Sequence, residues 1–460
     1  MSKHKKLAQR IKYYTGKMKK TLLKTVIIFY IFFQPCNLAC AVTLEQCKTM
    51  ALYNSKLLQA YENLIESSIF ANRKDKSSLL PQISGFYQPD YVQYGKNADF
   101  AHHHGYRNTV GVTLSIDIPK ILSDYPQLSN LEIEKSKLIT KIAANEILKQ
   151  VTQEYYQLYV LLEKKSYYSI AQSYISTHIK DIEALQSKGV DVKLDLIRAN
   201  VQLRSLYISR SNINQDVTNV LTSLNSIMNT EYKEPDFSTM DAPDMAALAT
   251  DQTIFDENAP ETEMENSYIE RLEKILPQRL ANLEQSKLDG LDVSVAREKY
   301  RQSDYSYLPF LEGGFEHNAH TIDPGIETDR AFILLNFNIF DFGQRANEKR
   351  QLKYAYESQK GLFDENQRKI KVRIDQIITQ IENIQTTYRN AGENLTNAAK
   401  ALDVAREYYQ QGKIKETDLL NIFAEYMNAK DQDYDILYDF FFKKAELDSL
   451  IRGIEDEKAG

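Results

Sequence analysis

The stretch REYYQQGKIKETDLLNIF, at Arg406–Phe423, predicts a helical hairpin, because a helical pattern ends at a glycine and a second helical pattern follows it. Another stretch, IEALQSKGVDVKLDLIRA at Ile182–Ala199, has the same layout about 220 residues earlier. In each stretch an Asp-Leu pair stands six and seven positions after the glycine. The repetition predicts two helical hairpins of the same design.

The residues at the two turns are typical of helix ends. Gly189 and Gly412 suit the position just after a helix, where the backbone angle φ is positive and a Cβ atom is disfavoured. Asp195 and Asp418 suit the cap or the first turn of the returning helix, whose N-terminal end attracts negative charge. We therefore expect the chain to reverse tightly at both places.

The helices that lead into these turns are long. From residue 342 to about residue 410 there is no proline, and apolar residues alternate at spacings of four and three, which is the seam of a coiled coil. The seam consists of Ile370, Ile374, Ile377, Ile381, Ile384, Tyr388, Ala391, Leu395, Ala398, Leu402, Ala405 and Tyr409. A helix of this length extends about 100 Å. A similar helix is expected from about Pro126 to Ser187, with a seam at Val151, Tyr155, Leu158 and Leu162.

Two pairs of strands lie between the helical stretches. In residues 110–119 apolar and polar residues alternate, which puts Val110, Val112, Leu114, Ile116 and Ile118 on one face. In the second pair the apolar face consists of Ile333, Leu335, Phe337 and Ile339. Shorter partner strands are expected near residues 82–88 and 310–317, with polar loops at about 89–107 and 318–329.

The two halves of the chain are similar in layout. Leu80-Pro81 precedes the first strand pair and Leu308-Pro309 precedes the second, at nearly the separation of the two glycines. Helix, two strands, long helix, turn and helix therefore occur twice, which indicates a duplication. We predict a signal peptide at 1–41, repeat unit 1 at 42–228, an acidic linker with prolines at 229–265, repeat unit 2 at 266–454 and a tail at 455–460.

The N-terminal segment is typical of an export signal. From Met18 a basic start precedes an apolar run that is too short for a stop-transfer helix, and small residues at positions 39 and 41 predict cleavage before Val42. A lipoprotein acylated at Cys40 is the alternative, and the true start codon is open between Met1 and Met18.

Composition excludes several classes of function. The formal net charge is −6, and removing the nine Lys and Arg residues before Val42 leaves −15. A chain this acidic is expected to bind nucleic acid poorly, because binding to phosphates needs clustered basic residues. Outside the leader Cys47 is the one cysteine, so a disulfide framework or a cysteine metal site is not expected. The sequence has no nucleophile–base motif, phosphate loop or metal-ligand spacing, so we expect neither an enzyme nor a bound cofactor or metal.

Strands with one apolar face in an exported chain allow two interpretations. They form a small sheet packed on the helices, or they span a membrane with lipid on the apolar side. Backbone in lipid must be fully hydrogen-bonded, so a spanning sheet must close into a barrel, and bacterial barrels have at least eight strands. Four strands would therefore have to be pooled among symmetry-related copies.

The order of these motifs resembles the TolC family of outer-membrane efflux proteins. The resemblance runs from VTLEQCKTMALYNS at Val42 to about Ile454 and includes the Leu-Pro strand entries, the two turns and NFNIFDFGQRANEKRQLKYAYESQ at Asn336–Gln359. Each motif alone is weakly specific, and their order within a duplicated unit is specific. One departure is the first unit's Ile-Pro-Lys-Ile, beginning at Ile118, where the second unit has Phe-Asp-Phe-Gly, beginning at Phe340.

The resemblance implies a mostly α-helical fold with a small β part, assembled as a homotrimer. Long antiparallel coiled-coil helices would form an α-barrel across the periplasm, and four strands per protomer would contribute to a shared transmembrane β-barrel in the outer membrane. The protein would be the passive exit channel of a tripartite efflux or type I secretion system, moving small molecules or proteins outward. Its partners would be outer-membrane lipid, a periplasmic adaptor protein and an inner-membrane pump of the RND or ABC type.

The resemblance also assigns the hairpin turns to the periplasmic entrance, where Gly189, Asp195, Gly412 and Asp418 would dock the adaptor. Just before the second turn, Asp403 and Glu407 are one helical turn apart. They form either a solvated helix face or, in three copies, a ring of carboxylates that favours cations. The alternative for the whole protein is a periplasmic coiled-coil adaptor or a structural protein without a membrane barrel. An adaptor needs one hairpin between β-rich domains, and a structural coiled coil needs no alternating strands.

Overall fold

A computed structural model of the chain describes residues 42–93, 104–237, 240, 282–320, 327–336 and 339–451. Its helices are α1 (Leu44–Asn54), α2 (Lys56–Ser77), α3 (Ile118–Leu122), α4 (Pro126–Ser187), α5 (Lys193–Met228), α6 (Glu284–Gln302), α7 (Gln344–Gln410) and α8 (Glu416–Ile451). Its strands are β1 (Gln82–Gln93), β2 (His104–Ile116), β3 (Phe310–His320) and β4 (Glu327–Asn336). The expected signal peptide, the tail and most of the linker lie outside the described residues.

The chain divides into two compact units. The small unit includes residues 42–43 and a short 3-10 helix at Glu234–Phe237, where the Val42 N–H donates to the Asp236 carbonyl at 3.2 Å and Phe237 is buried. The large unit contains all the α-helices and strands given above. None of the described helices is both long enough and apolar enough to cross a membrane.

The four strands form one antiparallel sheet in the order β1-β2-β3-β4. The two predicted halves of the chain meet at its centre, because β2 pairs with β3, for example Val112 with Phe315. Within the described residues β1 and β4 each pair on one side only, so each leaves a row of backbone N–H and C=O groups without a strand partner.

The two long hairpins agree closely with the sequence pattern. Helices α4 and α7 contain 62 and 67 residues, and each ends within two residues of its predicted glycine. Each residue of the predicted α7 seam is buried or half-buried, because α7 packs along α8. Part of this seam, including Ile374, Ile377 and Ile381, packs in one apolar cluster with Leu437 and Phe440 of α8.

The helices pack side by side, and which helix contacts which differs between the two ends of the helical part. Toward the turns the packing order is α5, α4, α8, α7, and toward the sheet it is α2, α4, α6, α7. Helix α7 is therefore at one side of both arrangements, with α2 and α5 at the other. These outer helices carry exposed apolar residues, which are Leu57, Leu64 and Phe70 on α2, Leu194, Ile197, Val201 and Ile208 on α5, and Tyr354, Leu362, Val372, Val404 and Tyr408 on α7.

The predicted strand ends are wrong in two ways. Strand β2 stops at Ile116, and Ile118 lies in α3, because the Asp117 carboxylate accepts the Lys120 N–H at 3.1 Å and starts a helix there. Strand β4 stops at Asn336, so Ile339 lies after the strand, while Phe337 is outside the described residues.

At the other end of the sheet, all four strands run into the stretches expected to be loops. Cross-strand polar contacts hold these residues in the sheet. The Arg107 guanidinium donates to the Asp90 carboxylate at 2.8 Å, and the Thr109 hydroxyl donates to the Asn318 side chain at 2.6 Å. The sequence pattern missed this region because residues such as Pro89 and Asp329 interrupt its apolar face, so no regular alternation marks it.

Candidate functional site

The two turns have the same hydrogen-bond geometry. At the first, the Gly189 N–H donates to the Gln186 carbonyl at 2.9 Å and the Val190 N–H to the Leu185 carbonyl at 3.3 Å. At the second, the glycine N–H and the next N–H bond to the carbonyls three and five residues back, at 2.9 and 2.8 Å. This is the Schellman motif, in which the glycine sits just after the helix. The predicted positive φ is confirmed, at 87° for Gly189 and 68° for Gly412.

Both aspartates lie at the third position of the returning helix, in its first turn. The alternative that they are N-caps is wrong, since α5 begins after Val192. The Asp418 carboxylate instead reaches back to the Lys415 N–H at 3.3 Å. This interaction satisfies a backbone donor that the helix itself leaves without a partner.

Close to the turns, three side-chain contacts join the first hairpin to the second. His178 Nε2 lies 2.9 and 2.8 Å from the two carboxylate oxygens of Glu416, and both residues are buried. The Arg198 guanidinium donates to the Thr417 hydroxyl at 2.5 Å. The Arg406 guanidinium stacks on the Tyr174 ring, 4.2 Å from its centroid. The sequence does not predict these contacts, because the partners are more than 200 residues apart and no local pattern specifies that they pair.

Tyr409 joins the buried pair. Its hydroxyl hydrogen-bonds Glu416, and burial, with the nearby carboxylate, raises the pKa of the phenol well above its usual value. The turn between α7 and α8 is thus fixed to α4 by a small network of polar side chains. Buried polar groups of this kind are costly to leave without partners, so the network specifies one arrangement of the two hairpins.

Asp403 and Glu407 lie on exposed positions of α7, one turn apart, as the spacing predicts. The Asp403 carboxylate is 3.4 Å from the Arg406 guanidinium, so its charge is partly balanced within the chain. The predicted carboxylate ring needs more than one copy of the chain and stays a prediction.

The sheet has one apolar and one mainly polar face, because residues opposite each other in the register share a face. The apolar face consists of Ile83, Tyr87, Tyr91, Tyr106, Val110, Val112, Leu114, Ile116, Leu311, Phe315, Ile333 and Leu335. Most of these side chains are exposed in the single chain. Toward the end of the sheet away from the helices, the same face also carries Asn108, His317 and Asp329. The rest of the face is an exposed apolar surface of the kind that marks contact with lipid or another apolar partner.

Two aromatic rings on the mainly polar face lie over glycines of neighbouring strands. A Cβ atom on Gly111 would be 2.5 Å from the ring of Phe86, and one on Gly314 would be 2.7 Å from the ring of Phe332. The two glycines therefore make room for the rings, which cover the backbone where it has no side chain of its own.

The described residues show no group suited to hold a metal, since no cluster of three or more His, Cys, Asp and Glu side chains occurs among them. Cys47 is buried, and burial raises the pKa of its thiol to about 12, which keeps it in the unreactive protonated form.

The solved structures with similar folds include outer-membrane channels. The fold matches CusC with a TM-score of 0.74 at 11% identity, covering 89% of this chain and 92% of that one. It matches the outer membrane protein VceC of Vibrio cholerae with a TM-score of 0.70 at 12% identity, covering 90% and 96%. It matches the CmeC outer membrane channel of Campylobacter jejuni with a TM-score of 0.69 at 17% identity, covering 89% and 85%.

At these identities the structural matches establish the fold. No curated protein matches the chain in sequence. In the second half of the chain, residues 289–451, which run from within α6 to the end of α8, match the family model described as outer membrane efflux protein. Over this segment the chain is similar to outer membrane efflux proteins, and 89% of its length has the fold seen in the CusC structure.

Proposed function

We propose that three copies of this chain close into one passive exit channel, which carries substrates from a periplasmic partner through the outer membrane. The proposal rests on the sheet, which has one apolar face and two edge strands that each pair on one side only. Strands β1 and β4 each pair on one side in the described chain, and lipid cannot satisfy the remaining backbone groups. Pairing β4 of one copy with β1 of the next removes both edges at once.

Three copies give a barrel of about twelve strands, which is within the range of bacterial barrels. The apolar face would lie against lipid and the mainly polar face would line the lumen. The choice of three copies rests on the resemblance to the family.

The helices support the same closure independently of the strands. Helix α5 carries an exposed stripe of Leu194, Ile197 and Val201, at the spacing of a coiled-coil seam. On the opposite side of the packing order, α7 exposes Val404 and Tyr408. Packing α5 of one copy against α7 of the next would bury both stripes, so the helical part and the sheet would close with the same symmetry.

The hairpin turns would dock the periplasmic adaptor, with Gly189, Asp195, Gly412 and Asp418 shaping the surface. Support comes from their exposure, since the backbone around both glycines is open and Val190 next to the first turn is exposed. The adaptor would connect the channel to an inner-membrane pump of the RND or ABC type, which would supply the energy. Asp403 and Glu407 would form the carboxylate ring at the same entrance and favour cations.

Crosslinking in cells tests the proposed partners. A photoreactive residue at Val190 should capture a periplasmic protein that has a hairpin of its own, and an inner-membrane pump should copurify with it. The matched control is the same residue at Tyr354 of α7, which lies far from the turns and should not capture that protein. Loss of the gene should raise the cellular content of pump substrates. A protein found free in the periplasm without a membrane fraction would instead support the coiled-coil adaptor alternative.

A further inference from the structure

A cavity lies among three helices, namely α1, the middle of α4 and the C-terminal part of α8. Its volume is about 150 Å³, close to that of an engineered protein cavity that holds one benzene molecule. We call it the α1 cavity. Its lining includes Lys48 of α1, Lys149 and Tyr156 of α4, and Phe441, Lys444 and Asp448 of α8.

The apolar side of the α1 cavity includes two stacked aromatic rings. The ring centroids of Tyr156 and Phe441 are 4.2 Å apart, with an angle of 19° between the ring planes. These rings give a bound apolar group a surface to pack against. Burial, with the nearby carboxylates of Asp448 and Glu45, raises the pKa of the Tyr156 phenol. The hydroxyl group therefore keeps its proton at neutral pH and remains a hydrogen-bond donor.

Three lysines, one from each helix, line the same small space. Against Lys48, Lys149 and Lys444 the described lining has one carboxylate, that of Asp448, which leaves a formal charge of +2. The chain as a whole has a formal net charge of −6, so this concentration of cations is local. A cleft lined by charges of one sign attracts the opposite sign, which in this case is an anion.

Two of these lysines have carboxylate partners that are much more exposed than the lysines themselves. Lys48 Nζ lies 2.7 Å from Glu45, with 20% of the lysine side chain and 79% of the glutamate side chain exposed. Lys149 Nζ lies 2.6 Å from Glu146, where the exposed fractions are 21% and 49%. Ion pairs with a solvated partner are weak. An anion inside the cavity can therefore compete with both glutamates for the lysines.

From this arrangement we infer that the α1 cavity is a binding site for a small organic anion. A carboxylate or phosphate group of the ligand lies among the three ammonium groups, and one ring-sized apolar group lies against Tyr156 and Phe441. The ligand contacts α1, α4 and α8 together, so its binding fastens α1 to both long hairpins. The site does not depend on the proposed channel, because all its lining residues come from one copy of the chain.

Three probes separate the two parts of the site. Phenylphosphonate has a ring and an oxyanion group, inorganic phosphate has only the charge, and benzyl alcohol has only the ring. In calorimetric titration of the purified full-length protein, phenylphosphonate should bind about tenfold more tightly than either of the others, because it makes both the apolar contact and the charge-assisted hydrogen bonds. It should also raise the thermal midpoint of the protein, as a ligand of the folded state does.

Two variants should shift the affinity for phenylphosphonate in opposite directions. Lys149→Met should weaken binding about tenfold, because a charge-assisted hydrogen bond is lost. Glu146→Gln should strengthen binding about threefold, because the competing carboxylate is removed and the lysine stays. Lys164→Met is the control for the first, since this lysine of α4 pairs with Asp435 at 2.6 Å outside the cavity lining. Glu134→Gln, about 18 Å earlier on α4, makes the same change in net charge as Glu146→Gln. Both controls should leave the affinity unchanged.

The inference is overturned if phenylphosphonate does not bind, or if Lys149→Met and Lys164→Met bind it equally well. It is also overturned if inorganic phosphate binds as tightly, since the rings then take no part, or if benzyl alcohol does, since the lysines then take no part. Glu146→Gln guards against a misfolded variant, because Glu146 is outside the cavity lining and a gain in affinity cannot come from lost structure. An affinity unchanged in Glu146→Gln would contradict the competition described here.

Discussion

His178 and Glu416 join the two hairpins through a buried contact, with Nε2 2.8 Å from one carboxylate oxygen and 2.9 Å from the other. The first residue belongs to α4 and the second opens α8, so the contact fixes the second turn against the first hairpin. Both side chains are more than nine-tenths buried, so the contact lies in the interior of the helical part.

Glu416→Ala should loosen the turn without unfolding the protein. The variant leaves the His178 ring and the Tyr409 hydroxyl without their buried partner, which costs about 1–3 kcal/mol. Hydrogen exchange should become faster at the start of α8 and near residue 178 of α4, while the sheet keeps its protection. Glu416→Gln is the control, because its amide oxygen can still accept both hydrogen bonds. Equal exchange in Glu416→Ala and the unchanged protein would show that the contact does not hold the turn.

Gly111→Ala should destabilise the sheet more than Gly85→Ala. The new methyl group would overlap the ring of Phe86 and force it to move, an overpacking that costs roughly 1–3 kcal/mol. At Gly85 the same atom makes an ordinary contact of 3.8 Å. The temperature at which the detergent-solubilised complex unfolds compares the two variants. A lower value for Gly85→Ala than for Gly111→Ala would contradict the packing described here.

Gly412→Val should impair docking while the complex stays intact. The space around the glycine is open, so the effect comes from placing a β-branched residue at positive φ, at about 1 kcal/mol or more. Gly392→Ala is the matched control, because this glycine also has open space but lies inside α7. With both variants present at equal levels in the membrane, crosslinking to the adaptor and substrate export should fall only for Gly412→Val. Normal export by Gly412→Val would mean that the turns do not face the pump.

Asp431→Asn should stabilise the protein at neutral pH. Burial raises the pKa of this carboxyl above its ordinary value of 3.8, so the folded chain holds the proton at a pH where the unfolded chain has lost it. Stability therefore falls as the pH rises through the raised pKa. The Asn oxygen can still accept the Tyr168 hydroxyl, which donates to the aspartate at 2.6 Å.

Thermal midpoints measured across pH test this prediction. The difference between Asp431→Asn and the unchanged protein should be largest at neutral pH and should vanish below pH 3.8. Asp403→Asn, which removes one exposed carboxylate, controls for the change in net charge. A difference that stays constant across this range would rule out the buried carboxyl as its cause.

The helical hairpins could be predicted from the sequence because their signals are local. The seam along α7 fixes which face is buried, and a glycine with an aspartate six residues later marks each turn. The sheet could be predicted only in part, since alternation is clear in β2 but becomes irregular at the end away from the helices. There, polar residues such as Asp329 lie on the same face as Tyr91 and Tyr106. Contacts such as His178 with Glu416 join residues 238 positions apart. They depend on how one hairpin packs on the other, which no local pattern specifies.

The mass of the complex, extracted from the outer membrane in mild detergent, shows whether copies of the chain close on one another. We expect several copies, because pairing between copies would satisfy the open edges of β1 and β4 and bury the exposed stripes of α5 and α7. The resemblance to the family sets the expected number at three. Val201→Asp, which puts a charge in the α5 stripe, should yield smaller species, whereas Asn214→Asp on a different face of the same helix should not. A protein recovered as a single copy, without a membrane fraction, would contradict the account.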